Sequence, residues 1–150
     1  MDMPFFDPEN SLGFLTITTN RLMSAHVRKR LVEAGIDVTP EQWAVLVHLW
    51  HKGAMAQDEL ANIACVEKSS LSRVLDVMER RGLVRRVRDP GDARRRVLFS
   101  TEQAAALRDP CLKVARAALA EMLVGINRDE LAICLNILTQ VKQNIRTLTE

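Results

Sequence analysis

The feature that most restricts the fold lies at Gly82-Leu83, where the hydrophobic period changes. Before it, Leu71, Val74, Leu75 and Met78 recur at helical spacing. After it come two short runs, LVRRVR and RVLFS, rich in β-branched and aromatic residues. Between them stands Asp89-Pro90-Gly91-Asp92-Ala93, a cluster of turn formers, so the pattern predicts a β-hairpin. Gly82 sits where a left-handed residue closes a helix, with Leu83 tucking back after it.

The segments around this junction read as helices. Leu12, Leu15, Thr19, Leu22, Met23, His26, Val27 and Leu31 predict a first helix over about 11–34, stopped by Gly35. Val38-Thr39-Pro40-Glu41-Gln42-Trp43 reads as a complete helix start. Thr39 is the cap, Pro40 the first helical residue, Gln42 the reciprocal partner, and Val38 with Trp43 a hydrophobic staple. Gly53 ends that helix. A short helix over 57–64, a tight connection Cys65-Val66-Glu67, and a helix over 68–81 follow. After the hairpin, Ser100-Thr101-Glu102-Gln103 opens another helix with a capping-box pattern, which Pro110 is expected to kink or restart. Leu107, Cys111, Val114, Ala118, Leu119, Met122 and Ile126 form one apolar stripe, and Leu131, Leu135, Leu138, Val141, Ile145 and Leu148 another. Such stripes need a partner surface, either within the chain or on a second copy across a twofold axis; we read the latter.

Charge is unevenly placed. Over 150 residues the formal net charge is +2, yet the segment 68–96 holds ten basic residues against four acids. Eight of the sixteen arginines lie between Arg80 and Ser100. A concentration of arginine rather than lysine suits forked recognition of phosphate, so a polyanion is the expected partner.

Short helix, tight turn, longer helix and hairpin form the order of a winged helix-turn-helix. The fold class expected is mainly α with a small β-hairpin wing, residues 37–100 forming the DNA-binding lobe and residues 1–36 and 101–150 the dimerisation helices. The second helix of such a motif offers its N-terminal residues to base edges in the major groove. Here those are Lys68, Ser69, Ser70, Ser72 and Arg73, and Arg73 suits either a guanine edge or a phosphate. Arg88, Arg94 and Arg95 are placed to reach the neighbouring minor groove. Arg80, Arg81, Arg85 and Arg86 are expected to touch phosphate or brace acids.

The stretch 60–101 resembles the MarR (multiple antibiotic resistance regulator) family of bacterial transcription factors. The residues carrying the likeness are Met78-Glu79-Arg80-Arg81-Gly82-Leu83-Val84-Arg85-Arg86, then Asp89-Pro90-Gly91-Asp92-Ala93-Arg94. TPEQWAVLVHLW resembles the family's second helix. Ser100 and Ala104 depart from the usual Leu and Gly, and Pro110 is uncommon there. The resemblance implies a homodimer on an inverted-repeat operator, usually a repressor, with Asp92 bracing a basic group and Arg94 entering the minor groove. It also implies release by a small anionic or phenolic ligand where the dimerisation helices meet the DNA-binding lobe. The ligand-pocket residues expected are Arg21, His26, Arg30, Trp43 and His48, with Met23 and Met55 as adaptable walls.

The three cysteines, Cys65, Cys111 and Cys134, are odd in number and lack C-x-x-C spacing, so they read as small buried side chains. The family's peroxide-sensing branch uses a cysteine in the first helix, and none is there. His48 and His51, with Cys65 nearby, are a thin basis for a metal-responsive regulator, since acids at ligand spacing are missing. Cofactor loops and nucleophile–base clusters are absent from the sequence, so no enzyme and no cofactor is expected. A winged helix used only for protein contact is a further alternative, opposed by the basic wing. Without a membrane-length apolar run or an N-terminal signal pattern in residues 1–10, a cytoplasmic protein is expected.

Overall fold

The computed structural model describes Asp7 and residues 9–149. Most of the N-terminal stretch considered for a signal pattern, residues 1–6 and 8, lies outside them. The chain forms two compact units, dividing between Ala118 and Leu119.

The first unit opens with α1 (Leu12–Glu33), α2 (Pro40–Lys52), β1 (Met55–Ala56), α3 (Gln57–Ala64) and α4 (Lys68–Arg80). Strands β2 (Val84–Arg88) and β3 (Arg96–Ser100) follow, and then most of α5 (Glu102–Met122). The end of α5 and α6 (Arg128–Thr149) belong to the second unit. The three strands are antiparallel in the order β1-β3-β2. β1 pairs Met55 with Leu98 and was not predicted, because two residues show no period.

Local chemistry accounts for the helix ends. Thr39 Oγ1 accepts the Gln42 N–H at 3.3 Å while Gln42 Oε1 accepts the Thr39 N–H at 3.2 Å, completing the capping box; such a cap contributes roughly 1 kcal/mol. Val38 is fully buried and Trp43 packs on the same core, as a staple requires. The end of α4 closes by a pair of backbone bonds, Gly82 N–H to Glu79 O and Leu83 N–H to Met78 O. Gly82 takes φ +68 there, and Leu83 and Met78 are both buried. The end of α3 closes in the same way, but its left-handed residue is Cys65 at φ 53.

One expectation for α5, the capping box, is corrected. Thr101 caps it by accepting the Ala104 N–H, and no reciprocal box forms because the third helical residue is alanine. Gln103 instead donates to Arg81 O, and Thr101 Oγ1 donates to Gly82 O at 2.6 Å, tying α5 to the point where the wing departs. The helix also runs through Pro110 without restarting.

The core of the first unit gathers Leu31, Val38, Leu46, Leu60, Leu75, Met78, Leu83 and Leu98. Of the cysteines only Cys111 is buried, and burial pushes its thiol up; Cys65 and Cys134 are exposed, against expectation. α1 buries only Leu31, leaving Leu12, Phe14, Leu15, Ile17 and Leu22 exposed. In the second unit α6 exposes Ile133, Leu135, Ile137, Ile145 and Leu148. Among the described residues no helix is long and apolar enough to cross a membrane.

Candidate nucleic-acid interface and the cavity beside it

The N-terminus of α4 carries no side-chain cap, so its first amides remain open and its dipole favours an anion. Ser69, Ser70 and Arg73 are exposed and Ser72 half-buried. Lys68 faces Asp58 at 3.3 Å. Arg73 and Arg80 have no acidic partner among the described residues.

The wing tip is built by its two aspartates. Asp89 Oδ1 accepts the Gly91 N–H at 2.8 Å, and Asp92 Oδ1 accepts the Arg94 N–H at 2.9 Å. Asp89 N–H and Arg95 N–H close the loop onto Arg95 O and Asp92 O. Asp92 therefore braces the backbone of Arg94, and among the described residues it pairs with no basic side chain; Asp89 is the acid facing a guanidinium, that of Arg95 at 4.0 Å. Arg88, Arg94 and Arg95 are exposed, and Arg88 lies directly opposite Arg96 in the ladder. Like charges placed so destabilise a hairpin unless an anion lies against them.

The remaining arginines of the stretch have partners within the protein, though Arg85 stays exposed. Arg86 binds Asp76 and Glu79, while the Arg85 guanidinium lies 5.5 Å from the Phe99 ring centre. Arg81 donates to Gln42 Oε1 at 2.8 Å and Asp37 O at 2.6 Å. Gln42 is the only buried polar residue among those described, and this contact with its capping role explains its burial.

A cavity of about 880 Å³ opens between α1, α2 and the α3–α4 turn. Of the predicted pocket residues it is lined by Arg21, Met23, Trp43 and His48, but not by His26, Arg30 or Met55. Helix geometry explains this: the α1 lining residues centre on Ser24, from which Arg21 and Met23 lie roughly 60° and 100° round the helix, but Arg30 roughly 120° and His26 roughly 160°. Met55 is buried in β1. Arg28, seven residues from Arg21 and on its face, lines the wall and was missed, although its spacing could have found it. Ser70, Leu71 and Val74 of α4 also line it, which sequence spacing within α1 could not show. His48 Nδ1–H donates to Ala44 O at 2.7 Å, leaving Nε2 as the ring's second polar atom. Trp43 meets Trp50 edge-to-face at 6.1 Å. Among the described residues no three potential metal ligands converge.

A short helix, a tight turn, a longer open-faced helix and an arginine-tipped hairpin define a winged helix-turn-helix. The sequence profile of the MarR family matches residues 38–95. The chain is 27% identical to the HTH-type transcriptional regulator MhqR of Bacillus subtilis (strain 168), over 92% of its own length and 95% of that protein's. It is 32% identical to the solved transcriptional regulator PA3341, with a TM-score of 0.76 over 90% of this chain and 98% of that one. It shares its fold with the transcriptional repressor CouR, solved bound to a 23-mer DNA duplex (22% identity, TM-score 0.78, 95% and 99% of the two chains). The chain belongs to the MarR family of winged helix transcription regulators.

Proposed function

We propose that this protein is a homodimeric, sequence-specific DNA-binding repressor acting in the cytoplasm. In this reading residues 37–100 bind DNA and the helices of residues 1–36 and 101–150 hold the dimer. Lys68, Ser69, Ser70, Ser72 and Arg73 enter the major groove, and Arg88, Arg94 and Arg95, shaped by Asp92, enter the minor groove. The observation that carries the reading is the division among the arginines. Arg81, Arg85 and Arg86 are occupied within the protein, while Arg88 and Arg94 have no acidic partner among the described residues. The exposed apolar residues of α1 and of α6 support a dimer, since surfaces of that kind mark interfaces. Gel retardation with the protein's own upstream DNA at two salt concentrations tests it. Tight binding that weakens steeply with salt is expected; salt-independent or absent binding rejects it.

The cavity is proposed to bind a small aromatic anion that releases the DNA. Arg21 and Arg28 outnumber the single lining acid, Glu41, and Trp43 offers an aromatic face. Its 880 Å³ lies within the range of small-molecule sites. Thermal-shift measurements with aromatic carboxylates should show stabilisation, and none by any of them would reject the site.

A further inference from the structure

One carboxylate joins the wall of this cavity to the end of the recognition helix. Arg28, on the wall, donates from Nη2 to Asp37 Oδ1 at 2.9 Å and from Nη1 to Val38 O at 2.7 Å. The other oxygen of Asp37 faces Arg81 at 3.3 Å, and Arg81 also holds Asp37 O and Gln42 Oε1. Arg81 is the C-cap of α4, directly before the glycine at which the wing departs. Thus α1, the α1–α2 connection, the start of α2 and the end of α4 meet on the Asp37 and Gln42 side chains and two neighbouring carbonyls.

This network can respond to a ligand. The Arg28 fork holds one carboxylate oxygen and one carbonyl, the type of acceptor pattern an organic carboxylate presents. Arg21 lies two turns away on the same wall with no acidic partner among the described residues, so an anion drawn there arrives beside Arg28. Asp37 itself is well exposed, its side chain at 72%, so water can take the place of Arg28 on it at little cost.

We propose that Asp37 is the relay between cavity and recognition helix. An anion in the cavity draws the Arg28 guanidinium from Asp37 and Val38 O, the α1–α2 connection loses its tie to α1, and Arg81 no longer anchors the end of α4 to a fixed point. Asp37 acts as a positioning residue and touches neither DNA nor ligand. This rests on the cavity being an effector site.

The test uses the full chain, a labelled fragment of its own upstream DNA and 2-naphthoate as probe. Calorimetry reads naphthoate binding, and anisotropy reads DNA affinity with and without naphthoate. In the parent, saturating naphthoate should weaken DNA binding about tenfold or more, within the usual range of coupling between sites. Asp37→Asn should bind naphthoate as the parent does, bind DNA about as weakly as the naphthoate-loaded parent, and so lose all but about twofold of the coupling. Arg81→Gln, which cuts the relay at its other end, should do the same, and Asp37→Glu should restore coupling. Full coupling in both Asp37→Asn and Arg81→Gln overturns the relay and leaves the effector site standing. Absence of naphthoate binding to the parent overturns the effector site and the relay with it.

Discussion

Arg86 on wing strand β2 and Glu79 on α4 are joined by three hydrogen bonds. The Arg86 N–H reaches Oε1 at 3.2 Å, and its Nε and Nη2 reach Oε2 at 3.1 and 2.8 Å. The same guanidinium binds Asp76, one turn earlier on α4. Two carboxylates on the helix proposed to face DNA are thereby neutralised, and the wing is tied to that helix.

Arg86 and Arg94 should therefore fail differently. Arg94→Ala is expected to weaken operator binding at least about tenfold and to reduce the salt slope by about one, as loss of a phosphate or minor-groove contact does. Arg86→Gln should weaken binding while leaving the salt slope unchanged, because Arg86 positions the wing and neutralises acids. Binding isotherms over a range of salt concentrations separate the two. Equal loss of slope would place Arg86 on the DNA.

Acid should loosen the same junction. The Arg86 side chain, followed by its backbone N–H, holds the Glu79 carboxyl below its ordinary value of 4.5. The unfolded chain thus takes up this proton first as pH falls. The stabilisation is complete above about pH 5, declines as pH drops past 4.5, and is gone below the lowered folded value. Glu79→Gln should be less stable than the parent at pH 7, with the gap closing as pH falls through 4.5 and below the lowered folded value. A gap that persists in acid denaturation curves would assign the effect to packing.

Gly82 and Cys65 close their helices with the same backbone geometry, and they predict opposite outcomes. A Cβ at Gly82 would take positive φ and meet Gln103 Oε1 at 3.0 Å. Gly82→Ala should cost about 1 kcal/mol or more. At Cys65 a side chain already bears that conformation, so Cys65→Gly should raise stability by roughly 0.5–1 kcal/mol. Denaturant midpoints measure both, and a destabilised Cys65→Gly would mean the thiol contact with Asn62 O, 3.6 Å long, outweighs the backbone preference.

The proposed dimer is tested on α6. Leu135 and Leu148 are 57% and 85% exposed in the single chain, so charging them should leave its own folding intact. Leu135→Glu with Leu148→Glu is expected to weaken self-association at least about a hundredfold, at roughly 1.5–3 kcal/mol per buried leucine. Light scattering across a dilution series checks it, and an unchanged mass at every concentration would exclude α6 from the interface.

The sequence by itself determined whatever depends on residues a few positions apart. The Thr39–Gln42 box, the Gly82 closure, the hairpin and its Asp-Pro-Gly-Asp turn were all legible, because caps and turns are local bonds with strong residue preferences. The helical spacing of Leu71, Leu75 and Met78 likewise marked the buried face of α4. Only the tertiary structure decided which arginines face solvent. Arg81 meets Gln42, 39 residues away, and Asp37, 44 residues away, and nothing in local spacing separates it from Arg80. The same holds for β1, which exists only by pairing with β3, and for the cavity, whose wall takes Arg28 from α1 and Ser70 from α4. A guanidinium makes the same offer to an acid, a carbonyl, a ring or a phosphate, and the neighbour that folding brings to it selects among them.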